Sequence, residues 1–194
     1  MMKEKEVMVK MVLDMWNIRI KQTGELFSKI SNEQLLTELE GFKNRGIYLL
    51  GHLTAANDQM FRLLDCGNPV VPHYKSIFIE NADKEVSEIP DVSEIRHNWN
   101  EVNNGLSDCF KAMSASAWFQ KHTSVSGDEF ENEPHRNKLN IVLTRSNHVS
   151  HHYGQLLILS NFFKNENSNN RHRPHGQSSA ENFLSVLSGQ YPVQ

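Results

Sequence analysis

The chain has 194 residues, 38% of them hydrophobic and 22% charged, with a net charge of −3 when histidines are neutral. That is enough length for one domain with a real core, at an ordinary globular balance. The charge gives no field that recruits nucleic acid or an anionic membrane, and no apolar run approaches the roughly 18–20 residues that span a bilayer. The opening Met1-Met2-Lys3-Glu4-Lys5-Glu6 lacks the apolar stretch and small-residue site of a secretory signal. Two cysteines, Cys66 and Cys109, are too few for a disulfide framework. The expectation is a cytoplasmic protein whose two thiols stay reduced and fill space near helix cores.

Val7, Met11, Met15 and Ile18 recur at helical spacing, so residues 5–23 read as a first amphipathic helix. Met8, Met11, Met15 and the nearby Trp16 read as core or interface residues. Ser31-Asn32-Glu33-Gln34 matches a capping box and predicts a short helix through Leu39. Asn44 is placed to cap the next helix. Phe42, Gly46, Leu49, Leu53, Ala56, Met60 and Leu63 form a 4-3-4-3 seam along it, and Gly67 suits its stop. Residues 68–90 are less regular, with Ile77-Phe78-Ile79 a candidate extended segment.

Asp91-Val92-Ser93-Glu94 repeats the capping pattern. Ile95, Trp99, Val102, Leu106, Cys109 and Met113 then give a third stripe to about residue 114. A loop follows, with a helical turn near Trp118 and an irregular stretch around Gly127, Asp128 and Pro134. Leu139, Val142, Val149, Tyr153, Leu156 and Phe163 define a fourth helix, from Asn137 to about Phe163. Residues 165–177 read as a polar linker, and residues 178–188 as one more short helix through Phe183, Leu184 and Leu187. The expected architecture is all-α: an antiparallel four-helix bundle over residues 1–165, with short extra helices, and a polar extension over residues 166–194.

Three histidines stand out. His148 and His152 are one helical turn apart, so they share a face; His52 lies on the second helix. At ~100° per residue, His152 falls about 60° from the apolar centre of its helix, His148 about 100° and His151 roughly 160°. His52 falls about 80° from the centre of its own helix. The inward pair is therefore His148 and His152, and His151 faces solvent. Shoulder positions suit a site at a bundle rim, where three imidazoles hold a transition metal with a coordination position left open. Val149 stands where the glutamate of H-E-x-x-H would be, which argues against a metalloprotease of that kind. Gln155, one turn beyond His152, is either a donor that supports the histidine or a cap for a neighbouring group.

Three stretches carry a family resemblance. Asn44 through Leu53, ending in Gly51-His52-Leu53, is similar to the second-helix segment of the DinB/YfiT-like superfamily. Asn147-His148 through His152, then Gly154-Gln155-Leu156, is similar to that family's H-x-x-x-H followed by Gly-Gln. Ser31 through Leu35 resembles the turn it places before the second helix. The resemblance covers roughly residues 5–163. It implies a four-helix bundle in which His52, His148 and His152 hold a divalent metal, with zinc or nickel favoured and iron or manganese as alternatives. It further implies a metal-dependent enzyme of hydrolase or thiol-dependent S-transferase type, acting on a small molecule with water or a low-molecular-weight thiol, and a homodimer. The competing expectation is a stress-associated bundle without catalysis, its metal structural or vestigial. Nucleic-acid binding, suggested only by Arg171-His172-Arg173-Pro174-His175, is not expected because a basic stripe is lacking.

Overall fold

The computed structural model describes residues 3–170, with side chains through residue 165. The expected helix over 178–188, most of the expected linker and the Arg171–His175 run lie outside the described residues. Chain contacts separate two units, residues 1–160 and 161–194. The site and the packing described below belong to the first.

The described chain is mostly helical and contains no strand; one isolated bridge joins Lys121 and Asn137. The elements are α1 (Glu4–Lys29), α2 (Asn32–Leu36), α3 (Gly46–Asp58), α4 (Met60–Leu63), α5 (Tyr74–Phe78), α6 (Val92–Ala112), a 3₁₀ turn (Ala117–Phe119), α7 (Gly127–Asn132) and α8 (Lys138–Asn170). No described helix is long and apolar enough to cross a membrane.

Local chemistry explains the starts and stops. The Ser31 side chain accepts from the Gln34 amide while Gln34 reaches back to the Ser31 amide, which is the capping box read from sequence. Asp91 caps α6 through the Ser93 amide. Cap position shifts by one on α3, where Arg45 rather than Asn44 precedes the helix. A bidentate pair with Asp83 holds Arg45, and the Arg45 amide donates to the same carboxylate at 2.7 Å. Burial opposes the charge on Asp83, but the Arg45 bonds hold its pKa below the usual carboxylate value. The stop after α4 is built differently from the expectation. Asp65 takes the left-handed conformation (φ 62°), the Cys66 amide donates to the Phe61 carbonyl and the Asp65 amide to Arg62. That is a Schellman arrangement completed one residue before Gly67.

Packing fixes the helix directions. Trp16 meets Phe110 and Phe27 meets Trp99, so α1 and α6 run in opposite directions. Arg96 of α6 closes the end of α1 by donating to the carbonyls of Phe27 and Ile30. Gly46 lies against Leu159 and His52 against His148, so α3 and α8 are also antiparallel. Along α3–α4 and α6, however, Asn57 pairs with Asn103, Phe61 lies over Gly105 and Cys66 is bonded to Cys109. These pairs advance together, so α3 and α6 are parallel, contrary to an antiparallel arrangement throughout. The connection between them is long enough to return to the starting end, and it carries α5 on the way.

Four further expectations are corrected. The Val7, Met11, Met15 and Ile18 stripe is not the core face of α1: these residues are 43%, 68%, 46% and 50% exposed, while Val9, Trp16, Thr23, Leu26 and Phe27 on the opposite side are buried. Aromatic bulk at Trp16 and Phe27 outweighs a regular row of smaller apolar side chains. Residues 74–78 form helix α5 rather than an extended segment, seated on α3 by Tyr74 and Phe78, both fully buried. The cysteines are not free: Cys66 and Cys109 form a disulfide with Cα atoms 5.9 Å apart, because parallel packing brings the end of α4 beside the last turn of α6. Finally, α8 continues to Asn170, since Asn and Ser lower helix propensity without breaking a helix.

Candidate metal centre

Every residue of α3 is buried except Tyr48 and His52. Apolar on nearly all sides, α3 is the central helix, and it meets solvent only along this one strip. The two rings are one turn apart and stack at 6.0 Å, with planes 16° from parallel. Across from them α8 presents His148 and His152, both half-buried, while His151 is exposed, as its position on the wheel requires.

The three inward rings converge. His148 Nε2 lies 3.0 Å from His52 Nε2 and 3.1 Å from His152 Nε2. One nitrogen from each ring falls within 4.8 Å of the other two. Ligand nitrogens about 2.0–2.1 Å from a metal stand about 2.9 Å apart at a right angle and about 3.3 Å apart at the tetrahedral angle. The two short separations fall inside that interval.

Each outer ring is fixed from behind. His52 Nδ1–H donates to the Phe78 carbonyl at 2.7 Å, and His152 Nδ1–H donates to Gln155 Oε1 at 2.8 Å. With Nδ1 protonated, Nε2 of both rings offers its lone pair to the centre. Gln155, which the sequence left as either a donor or a cap for a neighbouring group, therefore acts on His152 as an acceptor. His148 can place a proton between itself and only one neighbour, which leaves the other pair of lone pairs facing without one. A shared cation removes that conflict. His148 Nδ1 is buried and has no hydrogen-bond partner among the described residues.

Electrostatics favour the ligand form. Burial lowers the pKa of His52 and of His152. His148 is pushed down to about 3, by burial first and then by the adjoining rings and Arg145. All three imidazoles are thus neutral at neutral pH, the form that binds a transition metal. No carboxylate joins the cluster among the described residues. Asp58 is fully buried but serves the fold: it accepts from the amides of Val70 and Val71 and ties the following loop to α3. His122 is buried away from the cluster, and burial lowers its pKa. His73, His97 and His135 are exposed.

Phe78 and Gly51 belong to the site, and neither was assigned a role there from sequence. A Cβ at Gly51 would sit 2.5 Å from Phe78 Cζ and 2.6 Å from its Cδ1. Gly51 thus lets the Phe78 ring close on α3, which delivers the Phe78 carbonyl to His52. The available signal was a glycine directly before a histidine in an otherwise bulky helix. No protein-family model matches the chain, and no curated protein sequence matches it.

Proposed function

We propose that the chain is a DinB-like metal-binding protein in which His52, His148 and His152 hold one divalent transition metal. The observation that supports this reading is the convergence of three Nε2 atoms, two of them oriented by bonds at Nδ1. In this reading the long helices α1, α3, α6 and α8 form one four-helix bundle, with the metal at its rim between α3 and α8. Three neutral imidazoles suit zinc or nickel, with iron and manganese as alternatives. A metal so placed supplies Lewis acidity and favours the nucleophilic form of water or of a low-molecular-weight thiol. The chain's own part is to fix the rings: the Phe78 carbonyl sets His52, Gln155 sets His152, and Tyr48 covers the His52 face. The reaction proposed is substitution on a small electrophile, of hydrolase or S-transferase type, in which the new bond to oxygen or sulfur replaces the bond to a leaving group that departs with its electron pair.

That no carboxylate joins the cluster among the described residues supports a second reading, in which the metal serves stability alone. Thiol-dependent turnover of a chloro-aromatic electrophile by metal-loaded protein separates the two. Turnover that disappears with a chelator while the helical fold persists is expected. A large fall in melting temperature on chelation, with no turnover of any thiol–electrophile pair, favours the structural metal. The exposed apolar row of α1, with Met8 at 53% exposure beside Met11 and Met15, supports a homodimer. A monomeric sedimentation coefficient at micromolar concentration would reject it.

A further inference from the structure

We propose that Arg145 is the anion-binding group of this site and that its guanidinium receives a carboxylate carried by the small molecule whose reacting group meets the metal. The inference deepens the metal-site reading and rests on it. Arg145 stands on the inward line of α8: Arg145, Val149, His152 and Leu156 follow at 4-3-4 spacing, and Val149 and Leu156 are fully buried. By ~100° per residue it points more directly inward than either histidine ligand.

A half-buried guanidinium in such a position is open to an anionic partner. Other half-buried arginines have polar partners. Arg45 is paired with Asp83, Arg96 with two carbonyls and Asn32, and Arg19 donates to Gln22. Arg145 has no hydrogen bond or ion pair among the described residues, and burial lowers its pKa with no carboxylate acting against it. Arg145 and His148 are three residues apart on α8, so their side chains are neighbours on one helical face.

A second unsatisfied group sits one helical turn away. With His148 Nε2 given to a metal, its Nδ1 would carry a proton, and that buried atom has no acceptor among the described residues. One carboxylate can accept from the Arg145 fork and from His148 Nδ1–H together. Arg145 and a divalent cation add up to a strongly cationic corner in a chain whose net charge is −3, which selects an anionic ligand.

The test uses two thiols that differ in the carboxylate. Mercaptoacetate and 2-mercaptoethanol are titrated by calorimetry into the full chain, metal-free and with one equivalent of Zn²⁺, for wild type, Arg145→Gln and Arg145→Lys. Wild type should bind mercaptoacetate at least tenfold more tightly than 2-mercaptoethanol. Arg145→Gln should lose that preference while keeping its affinity for Zn²⁺ and for 2-mercaptoethanol, with Arg145→Lys in between. Its melting temperature should stay level or rise, since an unpaired half-buried charge is removed. Equal affinity for the two thiols in wild type, or a preference that survives Arg145→Gln, overturns the proposal. Failure to bind Zn²⁺ with the carboxylate preference intact overturns the metal reading and supports Arg145.

Discussion

Replacing Gly51 with Ala probes the link from packing to metal affinity. The new Cβ would stand 2.5 Å from Phe78 Cζ, so the ring must move. It cannot swing freely, because Phe78 is fully buried and packed at 5.2 Å against Tyr74 and 6.0 Å against Tyr48. Overpacking of this kind costs about 1–3 kcal/mol, while alanine returns about 1 kcal/mol of helix propensity. Net destabilisation should therefore be about 0–2 kcal/mol, small enough for the fold to persist. The larger effect falls on His52, whose Nδ1–H loses a well-placed acceptor when the Phe78 carbonyl shifts. Loss of such a supporting bond lowers metal affinity by about 10–100-fold. Competition with a chromophoric chelator measures that affinity, and circular dichroism checks the fold. Zn²⁺ affinity unchanged in a folded Gly51→Ala protein would refute the claim that Phe78 positions His52.

Gln155→Leu removes the acceptor behind His152, and should weaken metal binding by about 10–100-fold while leaving the helical circular dichroism signal unchanged. Acid should destabilise the metal-free protein through the cluster. His148 has a folded pKa of about 3, below the unfolded value near 6.5, so the unfolded chain binds the proton first. The His148 contribution to stability should hold above pH ~6.5 and decline as pH falls from there towards 3, and His148→Gln should flatten the urea-midpoint profile across that window. Thiol titration of the denatured, unreduced chain should find no free thiol at Cys66 or Cys109. Reduction should remove up to about 4 kcal/mol by loop-closure entropy, read as a fall in melting temperature; a full count of two thiols would contradict the disulfide.

Helix positions were largely readable because caps and stripes are local. The Ser31–Gln34 box and the Asp91 cap act within one turn, and the Ile95–Leu106 row matches the buried face of α6. The candidate site was readable for a related reason: four-residue spacing puts His148 and His152 on one face, and angular position separates them from His151. What failed depends on partners distant in sequence. The apolar row of α1 from Val7 to Ile18 is as regular as the buried one, and only contact with Phe110 and Trp99 selects the Trp16–Phe27 side. The disulfide required parallel packing of α3 and α6, which sequence spacing does not encode. The Phe78 carbonyl could not be foreseen either, since a backbone group acting across 26 residues leaves no side-chain signature.

The metal content of the purified chain tests the central claim most directly. Wild type loaded with Zn²⁺ or Ni²⁺ and freed of excess should retain one equivalent by elemental analysis, and folded His148→Ala should retain little, because His148 Nε2 is the atom the other two rings share. Equal, stoichiometric metal in both proteins would contradict the three-histidine centre.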